Sequence, residues 1–299
     1  MLFSLLTMNN PKLHTKSKYW SAEDGFRYCE TIARSHYENF PVASRFVSKE
    51  LRKYVWTIYA FARIADDYAD EPGFTVAERM DNLNQWEQYL DECYNGNPTH
   101  RVFAALAEIV ERFQIPQELF RNLLTAFRAD VTIKRYGTYE DVLAYCRNSA
   151  NPVGRLVLLL FNYRSETMMH LSDSICTALQ LTNFWQDVSV DLLKDRIYLP
   201  LEDLEEFGYS EQDLLEHKVN EPFGNLMAFQ VRRAAELFAE GKPLLAMVDK
   251  DLSMELKLTW ISGMKILQKI HKQHYDVLTK RPALSKLDKL GLLFRSFLS

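Results

Sequence analysis

The chain has 299 residues, of which 47% are hydrophobic and 25% charged, and its formal net charge is −4. This ordinary globular composition excludes disordered, collagen-like and disulfide-scaffold proteins. The slight excess of acidic residues argues against nucleic acid as a partner, because phosphate binding needs clustered positive charge. Only 10 glycines are present, although tight turns often need glycine. We therefore predict an all-α protein.

The length is compatible with one or two domains, and no linker-like segment divides the chain. We expect an N-terminal extension over residues 1–20 and a single helical domain over residues 21–299. The four cysteines show no C-x-x-C spacing, which is typical of reduced thiols. The apolar start lacks a basic segment and a cleavage site, and no apolar run approaches the ~20 residues that span a bilayer. The sequence therefore favours a cytoplasmic protein.

Helix start signals recur along the chain. Ser21, Thr75, Thr138 and Ser210 each precede an acidic residue by three positions, which is the pattern of a capping box. Because prolines separate the periodic segments, the pattern predicts about ten helices. Among them are an amphipathic helix over residues 48–70, a long apolar helix over 139–161 that is kinked at 151–154, and a helix over 174–194.

The end of the helix over residues 48–70 is strongly acidic. Asp66 and Asp70 are one turn apart and share a face. Negative charge is unfavourable at a helix C-terminus, where the helix dipole is also negative. A solvated acidic end partly balanced by Arg63 is one explanation, and a bound cation is the other.

A second polar ridge lies on the helix over residues 174–194. Asn183, Asp187, Asp191 and Asp195 recur every four residues and lie on one face. Large apolar side chains flank this ridge on both sides. Taken alone, the ridge is also explained by a solvated surface paired with neighbouring basic residues.

The two acidic motifs together point to a metal. Two such helices facing each other across a bundle would gather four carboxylates at one mouth. Mg²⁺ binds carboxylates together with waters and phosphate oxygens, and as a Lewis acid it assists departure of a diphosphate. The carbocation left behind needs aromatic walls, which 18 Phe, 15 Tyr and 5 Trp can supply. We therefore predict Mg²⁺ as cofactor, with Mn²⁺ as an alternative, and a diphosphate substrate.

Residues 59–70 resemble the first aspartate-rich motif of the squalene/phytoene synthase family. Residues 181–188, followed by Asp191 and residues 196–200, resemble the second motif, and residues 145–154 resemble the kinked helix between them. The similarity extends from about Phe26 to Phe294. It implies an isoprenoid synthase fold, a single helical bundle whose central cavity holds a prenyl diphosphate.

The resemblance implies roles for three sets of residues. The implied metal ligands, which also take part in catalysis, are Asp66, Asp70, Asn183, Asp187 and Asp191. The tyrosines implied near the leaving group and the carbocation are Tyr59, Tyr145 and Tyr198. The implied contacts to substrate are Arg63, Gln180 and Arg196.

Departures from the family pattern indicate a subtype. Residues 36–41, Asn151 in the kinked helix, and Gln186 in place of a frequent arginine make the chain similar to the hydroxysqualene synthases of bacterial hopanoid pathways. Those lyases ionise presqualene diphosphate, rearrange the cation and let water capture it. Polar side chains near the cavity would hold that water. The additional residues expected at the substrate are His36, Tyr37, Asn39, Asn151 and Gln186.

Two other functions stay open. One is a head-to-head prenyltransferase that condenses two farnesyl or geranylgeranyl diphosphates to presqualene diphosphate, squalene or phytoene. The other is an inactive family member with an assembly or binding role, against which the four intact aspartates argue. We expect no NADPH, because the chain has no dinucleotide-binding fingerprint.

The C-terminal residues 284–298 combine an apolar stripe with basic residues. This pattern is typical either of a helix docked on the core or of one lying on a membrane surface. A membrane contact would be peripheral and would help a lipophilic substrate arrive. An enzyme that makes presqualene diphosphate is a further expected partner, from which substrate would be channelled.

Overall fold

The computed structural model describes residues 20–35, 48–285 and 288. Within these ranges the chain forms helices and no strand, and one isolated bridge joins Arg135 to Ile197. The helices are α1 (Ala22–Ser35), α2 (Lys49–Asp70), α3 (Val76–Tyr94), α4 (Arg101–Phe113), α5 (Gln117–Thr132), α6 (Tyr139–Ser149), α7 (Asn151–Leu160), α8 (Glu166–Leu192), α9 (Leu201–Glu206), α10 (Glu211–Leu215), α11 (Glu221–Gly241), α12 (Leu244–Met247) and α13 (Lys250–Lys272). The predicted all-α class is confirmed.

The four predicted capping-box starts are confirmed, but the helix predicted over residues 174–194 begins earlier and spans Glu166–Leu192. Capping boxes precede α3, α6 and α10 at Thr75, Thr138 and Ser210. Before α1, the backbone N–H of Asp24 donates to the Ser21 hydroxyl over 3.1 Å. These local bonds satisfy N–H groups that have no partner inside the helix, so short sequence patterns are enough to fix where the helices begin.

The sequence predicts one kinked helix over residues 139–161, but the structure has two helices there. α6 ends at Ser149 and α7 begins at Asn151, with Ala150 between them at φ −111° and ψ −47°. Pro152 lies in the first turn of α7, where its missing N–H costs nothing. The proline therefore starts a new helix instead of bending an old one.

Helix α8 is the central element, since it packs against α6, α7, α11, α12 and α13. Its approach to α7 is close: a Cβ at Gly154 would collide with the Ser172 hydroxyl and the Cys176 thiol. On the other side of the core, α2 packs against α1, α3, α4, α5 and α7. One continuous apolar cluster connects both sides and fixes the ends of α2 and α8 relative to each other.

None of the helices in the described ranges combines the length and the apolarity needed to cross a bilayer.

Candidate active site

The first acidic motif occupies the last two turns of α2. Arg63 forms an ion pair with Asp67, with 2.5 Å between the guanidinium nitrogen and Oδ1, and lies 3.6 Å from the carboxylate of Asp66. No basic residue follows in the last turn of the helix, and the chain leaves it through an extended Glu71. Charge neutralisation for Asp66 and Asp70 must therefore come partly from outside α2.

The second acidic motif occupies the last turns of α8. Asp187 and Asp191 are both half-buried there, and Asn183 is exposed one turn earlier. The helix ends at Leu192, and the chain reverses through Asp195, whose φ is 55°. Asp195 therefore leaves the ridge on which the sequence placed it and pairs with Arg135 over 2.8 Å.

The reversal after α8 brings the two motifs together. Lys194 forms an ion pair with Asp70, and Arg196 forms another with the same carboxylate at 2.9 Å. Two residues that follow the second motif thus neutralise the last aspartate of the first. The sequence predicted that the two acidic helix ends face each other, and the structure places them so.

The segment 281–285, here called the C-terminal strap, meets the second motif. The Arg281 guanidinium forms a two-nitrogen contact with both carboxylate oxygens of Asp187, one of them at 3.1 Å. Beside it, the side-chain amide of the buried Gln186 donates to the Pro282 carbonyl over 2.6 Å. Arg281 was not among the residues singled out in the sequence, because nothing in its local pattern marks it.

Electrostatics differ among the aspartates. Burial raises the pKa of Asp66, with the repulsion of Asp70 adding to it and the charge of Arg63 opposing it. Burial also opposes ionisation of Asp70, but the hydrogen bond from Lys194 and the charge of Arg196 lower its pKa. Burial and the neighbouring Asp187 raise the pKa of Asp191 to about 7. The arginine and lysine side chains of the site therefore neutralise its negative charge only in part.

A cluster of aromatic rings lies beside the two motifs. Tyr198 stacks on Phe184 with ring centroids 3.7 Å apart, and Tyr136 stacks on the other side at 5.6 Å. The Tyr145 ring is 5.9 Å from both Tyr198 and Phe184. The predicted tyrosines Tyr145 and Tyr198 are therefore neighbours in a buried aromatic wall.

A buried carboxylate, Asp130 on α5, accepts hydrogen bonds from this wall. Tyr145 donates to it over 3.0 Å and Tyr198 over 3.3 Å. Burial raises the pKa of Asp130 to about 6, although Arg196 and the Tyr145 hydrogen bond oppose the shift. The sequence carried one signal for this residue, an acid on the apolar face of a helix, which includes Leu123 and Phe120.

The other predicted residues lie around this centre. Tyr59 is half-buried on α2 one turn before Arg63, and Gln180 is half-buried on α8. Asn151, expected to hold water, is buried at the start of α7 and its Oδ1 accepts a 2.9 Å hydrogen bond from Thr177. His36, Tyr37 and Asn39 lie outside the described residues.

The donor set suits a hard divalent cation. Asp66, Asp70, Asp187 and Asp191 present oxygen atoms only, which is the chemistry that Mg²⁺ selects. Within the described residues, no three metal-binding side chains already surround one point, because arginine and lysine side chains lie against the carboxylates instead. Side-chain cations there can turn toward a diphosphate when a metal binds.

Comparison with known proteins agrees with this arrangement. A family model of squalene/phytoene synthases matches residues 33–288. The phytoene synthase of Arthrospira platensis is 28% identical over 271 residues, covering 86% of this chain and 87% of that protein. The chloroplastic phytoene synthase 1 of Arabidopsis thaliana is 26% identical over 276 residues, covering 90% of this chain and 65% of that protein.

Solved structures give the same result. The squalene synthase HpnC from Alicyclobacillus acidocaldarius is 39% identical, with a TM-score of 0.81, covering 85% of this chain and 95% of that one. A dehydrosqualene synthase solved in complex with a ligand is 27% identical, with a TM-score of 0.83, covering 93% of this chain and 96% of that one. The fold is therefore the all-α isoprenoid synthase fold. The chain belongs to the squalene/phytoene synthase family, whose members are enzymes acting on prenyl diphosphates.

Proposed function

We propose that the protein is a hydroxysqualene synthase: a carbon–oxygen lyase that ionises presqualene diphosphate and hydrates the rearranged cation. The observation that carries the proposal is the meeting of the two acidic helix ends, where Lys194 and Arg196 from one motif neutralise Asp70 of the other. A site built in this way can accept metal and diphosphate between its halves.

The metal-binding residues would be the four motif aspartates and Asn183. Bound there, Mg²⁺, or Mn²⁺ in its place, supplies Lewis-acid assistance to departure of the diphosphate. Arg63, Arg196 and Arg281 already lie against the carboxylates. With a metal bound to the carboxylates, these guanidinium groups would be available to bind the diphosphate oxygens, for which their planar fork is well matched.

The aromatic wall has a different task. Phe184, Tyr145 and Tyr198 present ring faces, and the two tyrosines add oxygen lone pairs. Both stabilise a carbocation better than aliphatic side chains do. Their burial also keeps bulk water away from the cation. Capture by a single bound water would then decide the product. Gln180, Tyr59 and the segment with His36, Tyr37 and Asn39 are the remaining proposed contacts to substrate.

One feature supports hydration over condensation. Gln186, where many relatives have an arginine, is neutral, and its amide is engaged by the Pro282 carbonyl. It therefore adds no positive charge for a second diphosphate.

A second candidate is a head-to-head prenyltransferase. Its support is the similarity to phytoene synthases, at 28% identity for the one from Arthrospira platensis. Such an enzyme would condense two molecules of farnesyl or geranylgeranyl diphosphate.

Purified protein with Mg²⁺ distinguishes the two functions. It is given presqualene diphosphate in one reaction and farnesyl diphosphate in another, and products are identified by mass spectrometry. We expect a C30 alcohol from the first reaction and no product from the second. A C30 diphosphate or hydrocarbon from farnesyl diphosphate would instead establish the prenyltransferase.

The remaining proposals concern the setting of the enzyme. We retain a single domain over residues 21–299, a cytoplasmic location and delivery of substrate from an enzyme that makes presqualene diphosphate. The proposed peripheral membrane contact through residues 284–298 lies almost wholly outside the described residues. Flotation with liposomes, comparing the full chain with one ending at residue 283, tests that contact.

A further inference from the structure

In the hydrogen bonds around Asp130, it is clear which groups donate and which accept. A tyrosine hydroxyl has one proton to donate, and both Tyr145 and Tyr198 donate theirs to this carboxylate. Their oxygens can therefore offer only lone pairs to anything else nearby. A water molecule held by such an oxygen must donate to it, which leaves its own lone pairs free to attack a cation.

From this arrangement we propose that Asp130 is a positioning and proton-accepting residue, which takes the proton of the hydrating water through the Tyr145 hydroxyl. The inference rests on the proposed hydroxysqualene synthase function. The water oxygen forms a bond to the carbocation, and the resulting oxonium gives a proton to Tyr145. Tyr145 passes its own proton to the Asp130 carboxylate, so that cation, water and carboxylate become alcohol and carboxylic acid. The acid returns its proton to solvent after product leaves.

The location of Asp130 suits this role. Asp130 is only 9% exposed. It interacts electrostatically with Tyr198 of the aromatic wall and with Arg196, which pairs with Asp70 of the first motif. Tyr145 gives the shorter of its two hydrogen bonds, at 3.0 Å. Tyr198 occupies the second carboxylate oxygen at 3.3 Å and so fixes the orientation of the group.

A second buried carboxylate shows what a purely structural arrangement looks like. Asp203 is 1% exposed and is held by Arg233 at 2.5 Å and by the Gln230 amide at 2.6 Å. Those contacts join α9 to α11. Asp130 instead has tyrosine hydroxyls on its carboxylate, while the nearby Lys134 and Arg196 donate to its backbone carbonyl.

Burial, more than the charges around it, favours proton uptake by Asp130. Asp66 on α2 raises its pKa and Arg196 lowers it, while burial is the largest cause of the shift to about 6. From α3, Glu87 pairs with Arg128, and from α7, Arg155 pairs with Asp173. The other facing groups are Lys134, Tyr136, Tyr145 and Tyr198. A carboxylate with this environment accepts a proton readily near neutral pH and can release it again.

The test separates ionisation from hydration. Presqualene diphosphate is supplied with Mg²⁺, and both released diphosphate and C30 alcohol are measured, so that alcohol per diphosphate reports the fate of the cation. Asp130→Asn keeps the shape of the side chain but cannot take the proton. We expect diphosphate release within about tenfold of wild type and a fall of about 10²-fold in alcohol per diphosphate.

The pH profile gives a readout that a structural role would not move. In the wild type, alcohol per diphosphate should rise with pH through about 6, because only ionised Asp130 accepts the proton. Taking the ratio removes the pH dependence that diphosphate release itself shows. The dependence of the ratio on pH should disappear in Asp130→Asn.

Asp203→Asn is the matched control, since it removes the charge of an equally buried carboxylate with no tyrosine partner. It should lower thermal stability and leave alcohol per diphosphate unchanged. If Asp130→Asn does not fold, Tyr145→Phe cuts the same relay with the carboxylate retained, and the same fall is expected. An unchanged ratio in either folded variant overturns the inference while leaving the proposed function intact. A wild type that makes no alcohol overturns both.

Discussion

The two acidic motifs have the same spacing but are neutralised in different ways. The first has a cation on its own helix, Arg63, and two more from the chain reversal after α8, Lys194 and Arg196. The second relies on the C-terminal strap, whose Arg281 contacts Asp187. Among the described residues, none forms an ion pair with Asp191, and its pKa is raised to about 7.

This difference indicates which half of the site depends more on ligand for its neutralisation. Without ligand, the first motif also serves the scaffold, because its charge is neutralised by residues that hold α2 against the end of α8. The second motif is less fully neutralised, and the proposed divalent cation and diphosphate would neutralise it. Contact of the strap with Asp187 and binding of a metal there would compete for the same oxygens.

The largest effect is expected when an aspartate that is proposed to bind metal is removed. Asp66→Ala and Asp187→Ala should each lower diphosphate release from presqualene diphosphate by about 10³-fold or more, since several kcal/mol of Lewis-acid assistance are lost. Release is measured by a coupled phosphate assay with saturating Mg²⁺. Both variants should remain folded by circular dichroism, because they remove like-charge repulsion.

Asp195→Ala is the control for this pair. Asp195 continues the four-residue spacing of the second motif, yet it lies beyond the end of α8, is highly exposed and pairs with Arg135. It should retain activity within about twofold, as expected of a surface residue away from the site. A loss in Asp195→Ala equal to that in Asp187→Ala would mean that the ridge acts as a whole and that the distinction between motif and surface is wrong.

The sequence predicted the parts of this site that depend on local spacing. Asp66 with Asp70 and Asp187 with Asp191 are one turn apart on helices with recognisable starts, so their shared faces follow from helix geometry. Contacts between distant segments were not predictable. The bond from Gln186 to Pro282 spans 96 residues and that from Tyr198 to Asp130 spans 68.

Asn151 shows the same limit on a smaller scale. Its side chain was expected to hold water, and the structure pairs its Oδ1 with the Thr177 hydroxyl, 26 residues away. Residue type indicates that a buried amide needs partners. It does not indicate which partners, because they are set by how α7 packs on α8.

A smaller effect is expected when Gln186, which holds the C-terminal strap in place, is replaced. Gln186→Ala removes the donor that holds the Pro282 carbonyl, so Arg281 loses its fixed position beside Asp187. We expect KM for presqualene diphosphate to rise about tenfold with kcat changed by less than threefold, which is the signature of lost ground-state binding. Steady-state kinetics measure both constants.

Gln212→Ala serves as the matched change for Gln186→Ala, because the exposed side chain of Gln212 on α10 donates to Glu216, just beyond the end of the same helix. Its constants should match those of the wild type. If Gln186→Ala lowered kcat and left KM unchanged, Gln186 would act in the chemical step and not through the strap.

The smallest effects are expected in the melting temperatures of two variants, one in each motif, measured after a chelator has removed metal. Asp70→Asn should lower the melting temperature, because Lys194 and Arg196 lose their carboxylate while the scaffold contact between the motifs weakens. Asp191→Asn should raise it at pH 8, because it removes a charge that burial and Asp187 both oppose. These partly exposed pairs are worth about 1 kcal/mol or less, so each shift should be about 2 °C or less in a chain of this length. Melting-temperature shifts of opposite sign in the two variants support a first motif that stabilises the scaffold and a second motif that depends on ligand.

Shifts of the same sign would show that both motifs are neutralised to the same degree. Mg²⁺ with diphosphate should then stabilise both variants equally.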